Sequence, residues 1–143
     1  MQNPTKKKVL ILCTGNSCRS QMAEGVTRHF YSATHEVESA GTHPSYVNPH
    51  AITVLKEIGI DISNHRSKSV NEFYNDHFDY MITVCTDADR NCPTFPGIAK
   101  RIHWEFNDPF KSQGNHDDIL DQFRVVRDTI IEKFKADWIK TLV

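Results

Sequence analysis

The sequence predicts an α/β fold in which a small four-stranded parallel sheet is flanked by helices on both faces. Short apolar runs alternate along the chain with longer segments whose apolar residues recur every three or four positions, which is typical of strands connected by helices. The clearest apolar run is continuous, as expected for a strand that is covered on both faces. A length of 143 residues suits one hydrophobic core, so we expect residues 1–143 to form a single domain.

The first strand and the first helix are predicted near the amino terminus. Residues 9–12 form an unbroken apolar run, which indicates a buried strand. A helix follows, because Met22, Val26 and Phe30 recur at every fourth position and would share one apolar face. Only the short segment 13–19 separates the two patterns, so we expect a tight loop there.

The second strand and the second helix are marked by their end signals. Residues 37–40 give a short strand pattern, which Gly41 closes. Asn48 and Pro49 then provide the side-chain cap and the first-turn proline that favour the start of a helix. The residues expected on its apolar face are Ala51, Val54, Leu55 and Ile58. Gly59 is expected to end the helix.

The remaining elements are two strands and a long final helix. Residues 78–84 predict the third strand and residues 102–104 a short fourth strand, with a helical turn expected over residues 87–91. The last helix is predicted to begin near Asp117. Its apolar face would consist of Ile119, Phe123, Val126, Ile130 and Phe134. Because ligands bind at the carboxyl ends of parallel strands, the loops after the first, third and fourth strands are expected to converge on one site.

Charge and hydropathy exclude several classes of function. The formal net charge of −1 argues against nucleic-acid binding, because such proteins usually carry a basic excess. No apolar run approaches the roughly 18 residues of a membrane-spanning helix. The apolar run after the basic residues 6–8 is also too short for a signal peptide. We therefore expect a cytoplasmic protein that binds neither nucleic acid nor a membrane. We also expect a monomer.

The cysteines predict thiol chemistry rather than a static framework. Cytoplasmic proteins rarely keep structural disulfides. The spacings Cys13-x4-Cys18 and Cys85-x6-Cys92 do not give the two close cysteine pairs of a structural zinc site. We predict neither a bound metal nor another cofactor, which leaves nucleophilic or redox use of the thiols.

The segment CTGNSCRS, residues 13–20, carries the pattern most indicative of chemistry. A tight loop between a strand and a helix turns backbone N–H groups inward, and the helix start adds partial positive charge. We therefore predict a phosphate-binding loop after the first strand. The residues expected to form it are Thr14, Gly15, Asn16, Ser17, Cys18 and Arg19.

Within this loop, Cys13 is the predicted nucleophile. The positive field favours its thiolate form, Arg19 can hold two oxygens of an anion at once, and Ser20 can donate a hydrogen bond to the sulfur. The alternative is a buried structural cysteine beside a surface arginine, but the preceding apolar strand and the following helix favour the chemical interpretation. Cys18 has no evident chemical role, and packing inside the loop is the simplest interpretation of its thiol.

The loop and its surroundings resemble the low-molecular-weight protein tyrosine phosphatase superfamily, and CTGNSCRSQMAEG looks like the thioredoxin-recycled arsenate reductases within it. The resemblance extends through SAGTHP, VNPHAITVLKEIGIDISNHRS, DYMITVCTDADRNCP, HWEFNDP and FRVVRDTI, and so covers nearly the whole chain. The loop alone indicates only the superfamily. The additional pair Cys85 and Cys92 indicates the reductases.

The resemblance implies a reaction that passes through three thiols. Cys13 would attack arsenate, and Asp108 would protonate the departing oxygen. Cys85 would then attack Cys13 and release arsenite, after which Cys92 would attack Cys85. The disulfide would finally be reduced by thioredoxin, with glutaredoxin as the alternative donor. The intervening segment TDADRN is polar and short, so it can rearrange at low cost between the steps.

Two positions depart from the pattern of that family. Asn107 stands where an acidic residue usually precedes the general acid, which lowers the local negative charge. Some members bind potassium beside the loop. The positions that match this site are Asn16, Glu24, Ser39 and Lys68. Because Lys68 replaces an acidic residue and its ammonium could stand in for the ion, we predict no specific potassium site.

Two other functions remain open from the sequence. The first is a phosphatase acting on phosphotyrosine or small aryl phosphates, in which Cys85 and Cys92 protect Cys13 from oxidation. The second is a non-enzymatic oxyanion binder or redox-sensing partner protein, which the intact set of Cys13, Arg19 and Asp108 disfavours. Arsenate reduction is the function that the cysteine pair favours.

Overall fold

The structure is a computed structural model of the chain, and it describes residues 6–86, 88, 98–109 and 112–142. The strands are β1 (Lys7–Cys13), β2 (His35–Gly41), β3 (Phe78–Thr83) and β4 (Ile98–His103). The helices are α1 (Arg19–Tyr31), α2 (Pro49–Lys56) and α3 (His116–Leu142), and a short 3-10 helix spans Val70–Phe73.

The four strands form one sheet in the order β2-β1-β3-β4, and every pair is parallel. The predicted fold class, an α/β fold with a four-stranded parallel sheet and flanking helices, is confirmed. Strand β1 lies in the interior of the sheet, where Val9 pairs with Val37 of β2 and Tyr80 of β3. Its continuous apolar run is fully buried, because neighbouring strands and covering elements remove all of it from solvent.

The helices pack on one another as well as on the sheet. Helix α1 contacts β1 and β2, and α1, α2 and α3 contact each other in all three pairs. The predicted start of α2 is confirmed, since the Asn48 side chain accepts the His50 N–H at 2.8 Å and Pro49 opens the helix. No helix among the described residues is long and apolar enough to cross a membrane.

Two residues that the periodicity placed on apolar faces are exposed instead. Phe30 is 41% exposed in the last turn of α1, where the Lys135 ammonium lies 4.4 Å from the centre of its ring. Ile58 is 39% exposed, because α2 ends at Lys56 and the chain turns away at Gly59, whose φ is +83°. The spacing of apolar residues does not show where a helix extends beyond the surface that buries it.

The ends of the later elements also differ from the prediction. Strand β4 begins earlier than residue 102 and ends at His103, although the Trp104 N–H still donates to the Thr83 carbonyl at 2.9 Å. Ala88 is helical, as predicted for the turn over residues 87–91, and Thr86 before it is helical as well. The other residues of that turn, and Cys92 after it, lie outside the described residues.

Candidate active site

A small cavity of about 170 Å³ opens at the carboxyl end of β1. It is lined by Cys13, Thr14, Gly15, Ser17, Cys18, Arg19, Ser45 and Asp108. Most of the predicted site residues therefore surround one space. The cavity sits where the loops after β1 and β4 meet, as expected for a ligand site in a parallel sheet.

The loop after β1 is fixed from outside through its carbonyl groups. The carbonyl oxygens of Cys13, Thr14 and Gly15 accept the backbone N–H groups of Thr42, His43 and Ser45 at 3.2, 2.8 and 3.0 Å. The N–H and C=O of a trans peptide point in opposite directions. Carbonyls that bond on the outside of the loop therefore leave N–H groups turned toward the cavity, which is the arrangement of an oxyanion cradle.

Gly41, the last residue of β2, permits this close contact. A Cβ atom at Gly41 would lie 2.5 Å from the Thr14 carbonyl oxygen and 2.9 Å from the Asn16 nitrogen, closer than such atoms can approach. Only a glycine at this position therefore lets the end of β2 pack this closely against the loop. The residue pattern predicts Gly41 only as the end of a strand and gives no signal of its contact with the site.

Asn16 braces the loop from within. It is fully buried with a φ of +47°, a left-handed conformation that few residues other than glycine adopt. Its Nδ2 donates to the Ser20 and Ser39 hydroxyls at 2.8 and 2.9 Å, and its Oδ1 accepts the Lys68 N–H at 2.8 Å. Gln21 donates to the same Oδ1 at 3.0 Å. The Asn16 side chain is thus a structural brace rather than a contact for ligand.

Cys13 is buried and faces a hydroxyl. Its Sγ lies 2.9 Å from the Ser20 Oγ. The same oxygen accepts a hydrogen bond from Asn16 Nδ2 at 2.8 Å, and the Ser20 hydroxyl is close enough to the sulfur to donate to it. The structure therefore places the Ser20 hydroxyl beside the Cys13 sulfur, and its predicted role as a donor to that sulfur stays a prediction.

Arg19 connects the loop to the segment after β4. Its Nη1 donates to the Phe106 carbonyl at 3.1 Å, and its Nη2 lies 3.5 Å from Asp108 Oδ2. Arg19 is the first residue of α1, so its side chain reaches from the helix start across the cavity. The structure thereby brings Asp108 beside the loop, as the sequence predicted.

Cys85 also reaches the loop, from the end of β3. Its Sγ lies 3.3 Å from the Thr14 Oγ1 and accepts the Ala88 N–H at 3.4 Å, and the residue is 3% exposed. A second thiol therefore borders the loop that begins at Cys13. Cys92, the predicted third thiol, lies outside the described residues.

Cys18 differs from the other loop cysteine in its surroundings. Burial raises the pKa of its thiol to about 12, against the weaker lowering effect of the Ser17 hydroxyl. Its side chain therefore remains a thiol at neutral pH and is a poor nucleophile. The interpretation of Cys18 as a packing residue of the loop agrees with this environment.

A buried cluster of polar and charged side chains lies behind the loop and contains Glu24, Ser39 and Lys68. These are positions that the family resemblance associated with potassium. The Lys68 ammonium lies 3.5 Å from Glu24 Oε1, and the Ser39 hydroxyl donates to the same oxygen at 2.5 Å. A cation among these residues would have to share the carboxylate with the ammonium of Lys68. The residues therefore do not fit a potassium site. Its absence in solution stays a prediction.

His65 joins this cluster as a neutral ring. Burial lowers its pKa, and the nearby cations Arg28 and Lys68 lower it further, against the attraction of Glu24. The hydrogen bonds fit a neutral tautomer, in which Nδ1–H donates to Gln21 Oε1 at 2.9 Å and Nε2 accepts from Arg28 Nη1 at 3.1 Å. The 3.3 Å approach of Nε2 to Glu24 is thus a proximity and not a charged pair.

We expect the neutral state of His65 to make stability depend on pH. The unfolded ring binds a proton near its ordinary pKa of about 6.5, whereas the folded ring does so only at lower pH. Its contribution to stability is therefore complete above that value and is lost as the pH falls toward the folded pKa. Between about pH 7.5 and about pH 5.5, urea unfolding should therefore show a loss of stability from this group.

The variant His65→Asn tests this assignment, since an amide can still donate to Gln21 and does not titrate. Its loss of stability over the same pH interval should be smaller than that of the parent. His77→Asn is the matched control, because the His77 ring is solvent-exposed and its replacement should leave the parent's pH dependence unchanged. Identical losses in all three proteins would contradict the assignment.

Three comparisons relate this geometry to known proteins. The model of the low molecular weight phosphotyrosine protein phosphatase family matches residues 8–143. The arsenate reductase of Staphylococcus aureus strain Newman is 44% identical over 135 residues, which cover 92% of this chain and 98% of that protein. The predicted resemblance to arsenate reductases of this superfamily is confirmed.

Solved structures lead to the same relatives. An arsenate reductase in the phosphate-binding state matches with a TM-score of 0.79 and 34% identity, over 94% of this chain and 98% of that one. A thioredoxin-dependent arsenate reductase of Corynebacterium glutamicum matches with a TM-score of 0.68 and 28% identity, over 95% of this chain and 64% of the other. The chain belongs to the low molecular weight phosphotyrosine protein phosphatase family, within which it is similar to the arsenate reductases.

Proposed function

We propose that the protein is an arsenate reductase that converts arsenate to arsenite with electrons from its own thiols. The observation that carries this proposal is the position of Cys85, whose sulfur lies 3.3 Å from Thr14 in the oxyanion loop. Hydrolysis of a phosphate ester needs one thiol, one acid and water. A second buried thiol at the edge of the same loop is explained by a reaction that ends in a disulfide.

The first step uses the oxyanion loop. The inward N–H groups and the Arg19 guanidinium hold the arsenate oxygens, and the Cys13 thiolate attacks arsenic. A sulfur–arsenic(V) bond forms, and one arsenic–oxygen bond breaks. Asp108, 3.5 Å from Arg19 at the cavity wall, gives its proton to the departing oxygen, which leaves as water.

The next steps transfer two electrons. The Cys85 thiolate attacks the Cys13 sulfur, so that a sulfur–sulfur bond forms and the sulfur–arsenic bond breaks. The electron pair of the broken bond remains on arsenic, which leaves as arsenite. The Cys92 thiolate then attacks the Cys85 sulfur and displaces the Cys13 thiolate. The protein ends with a Cys85–Cys92 disulfide and a regenerated nucleophile, and its two thiols have supplied both electrons.

A dithiol protein must then reduce that disulfide. Thioredoxin is the proposed donor, which the thioredoxin-dependent relative from Corynebacterium glutamicum supports. Glutaredoxin with glutathione is the alternative, since nothing in the described residues distinguishes the two donors. We further propose that the protein acts in the cytoplasm, where such reductants keep thiols reduced. We propose that it acts there as a monomer and without a bound cofactor.

A coupled assay tests the proposal. The parent protein is supplied with arsenate, thioredoxin, thioredoxin reductase and NADPH, and we expect NADPH oxidation that requires both arsenate and thioredoxin. Arsenite should form in equal amount to the NADPH consumed. No NADPH oxidation with either thioredoxin or glutaredoxin, in a protein that hydrolyses p-nitrophenyl phosphate rapidly, would overturn it.

Phosphatase activity is the second candidate function. The set of Cys13, Arg19 and Asp108 around one cavity is sufficient for hydrolysis through a phosphocysteine intermediate, and the match to the phosphatase family favours it as a residual activity. In that function Cys85 and Cys92 would protect Cys13 from oxidation. The parallel assay with p-nitrophenyl phosphate measures it directly.

A further inference from the structure

The segment after β3, which carries Cys85, is tied to the segment after β4 by a set of side chains. The Thr86 hydroxyl donates to Glu105 Oε1 at 2.6 Å, and the same oxygen lies 2.9 Å from His103 Nε2. His103 Nδ1 in turn lies 2.8 Å from the Thr83 hydroxyl. The distances are satisfied when His103 Nε2–H donates to the carboxylate and Nδ1 accepts from Thr83.

We propose that Glu105 is a positioning residue for Cys85. By accepting the Thr86 hydroxyl, it holds the peptide that follows Cys85 and so keeps the Cys85 sulfur against the oxyanion loop. This inference rests on the proposed function, since Cys85 needs a defined direction only if it attacks Cys13.

The hydrogen-bond contacts that the Cys85 sulfur makes to the described residues are weak. Within the described residues, its sulfur has hydrogen-bond contacts to the Thr14 hydroxyl and the Ala88 N–H, at 3.3 and 3.4 Å. Both distances are long, as is usual for sulfur, and each fixes the side chain only weakly. Backbone hydrogen bonds of Val84, to the Leu12 carbonyl at 2.9 Å and from the Phe106 N–H at 3.3 Å, hold the chain before Cys85. The 2.6 Å bond from Thr86 to Glu105 holds the chain after it.

Charge favours this bond. Partial burial by itself would raise the pKa of Glu105, but the hydrogen bonds from Thr86 and His103 outweigh it and lower the pKa, and Arg19 adds to the lowering. Glu105 is therefore ionised at neutral pH, and an ionised acceptor makes a stronger hydrogen bond than a neutral one.

The Glu105 contact is not needed for the stability of the fold. The Glu105 side chain is 49% exposed, and an exposed hydrogen bond such as that from His103 contributes little to the free energy of unfolding. Thr86 is also exposed, so its hydroxyl would bond to water if the carboxylate were absent. The gain from this contact is therefore orientation, and its loss should affect the rate of thiol attack rather than folding.

A single-turnover experiment tests the inference in variants Glu105→Ala and Thr86→Val. Reduced protein is mixed with arsenate in the absence of thioredoxin, quenched with an alkylating reagent and analysed by mass spectrometry for disulfides that contain Cys85. We expect both variants to form such disulfides about tenfold more slowly than the parent. Glu105→Gln, which keeps an acceptor oxygen but not the charge, should restore part of the rate.

Hydrolysis of p-nitrophenyl phosphate, measured with the thiols kept reduced, separates this role from an effect on Cys13. It should remain within about twofold of the parent in each variant, since hydrolysis does not use Cys85. The double variant of Glu105 and Thr86 should be no slower than either single variant, because both remove the same contact. Glu132→Ala, an exposed change on α3, is the matched control.

The outcomes distinguish the inference from the function beneath it. Unchanged disulfide formation in Glu105→Ala and Thr86→Val would overturn the positioning role and leave the proposed function intact. An equal slowing of hydrolysis would also overturn it, because the contact would then act on the Arg19 side of the cavity. A parent protein that forms no Cys85 disulfide with arsenate would overturn the proposed function itself.

Discussion

Replacing Cys92 with serine is expected to stop thioredoxin-coupled arsenate reduction and to spare phosphate ester hydrolysis. A hydroxyl cannot form a disulfide, so Cys92→Ser has no group that resolves the bond between Cys13 and Cys85. Steady-state arsenate turnover should fall by about a thousandfold or more. Hydrolysis of p-nitrophenyl phosphate should stay within about twofold of the parent, because it uses only the groups that line the cavity.

The stalled protein should also reveal where the reaction stops. One equivalent of arsenite should be released, and the Cys13–Cys85 disulfide should accumulate and be detected by peptide mapping after alkylation. Cys85→Ser is the informative comparison, since it should also lose turnover but should trap no disulfide at Cys13. Full turnover in Cys92→Ser would contradict the proposed thiol relay, and would mean that the reductant attacks the Cys13 disulfide directly.

The sequence predicted the order of elements and the centre of the site because both depend on local signals. Each of these signals influences only the few residues around it. They are the apolar run of β1, the glycine within the loop and the cap at Asn48. The arginine six positions after Cys13 then has to open the helix, and its side chain returns to the same loop. Local patterns of this kind are fixed by neighbours along the chain.

Other parts of the site depend on distant segments and left no local signal. Gln21 is fully buried and bonds to Asn16 of the loop and to the Arg66 carbonyl, yet a glutamine in a helix pattern indicates only a solvent face. The same holds for Glu105, whose partner Thr86 lies 19 positions away in the chain. The pair of Glu105 and Thr86 is set by how β3 and β4 align, and no single segment encodes that alignment.

The limits of a periodic pattern explain the two exposed apolar residues. Phe30 continues the spacing of Met22 and Val26, but the surface that buries those two residues does not reach the last turn of α1. The periodicity of apolar residues shows which face of a helix is buried, but it does not show how many turns of that face are covered. The ends of α1 and α2 therefore become known only from the packed structure.

Replacing Arg19 with lysine is expected to lower kcat/KM for arsenate and for an aryl phosphate by about a hundredfold to a thousandfold. The guanidinium contacts both the Phe106 carbonyl at 3.1 Å and Asp108 at 3.5 Å, through two different nitrogens. A lysine ammonium keeps the charge but is a single point, so it cannot hold the segment after β4 and fork onto two anion oxygens. Most of the loss should appear in kcat, because the anion gains charge on its oxygens in the transition state.

Arg66→Lys is the matched control for this change. Arg66 pairs with Glu72 on the surface through two nitrogens, at 2.6 and 3.1 Å, and lies outside the cavity. The same chemical change there should leave both activities within about twofold of the parent. A parallel fall in arsenate reduction and ester hydrolysis at Arg19 would show that one cradle serves both reactions, since the thiols that distinguish them act after the anion is bound. A fall in only one activity would mean that arsenate and phosphate esters are held by different groups, which contradicts the single cavity proposed for both.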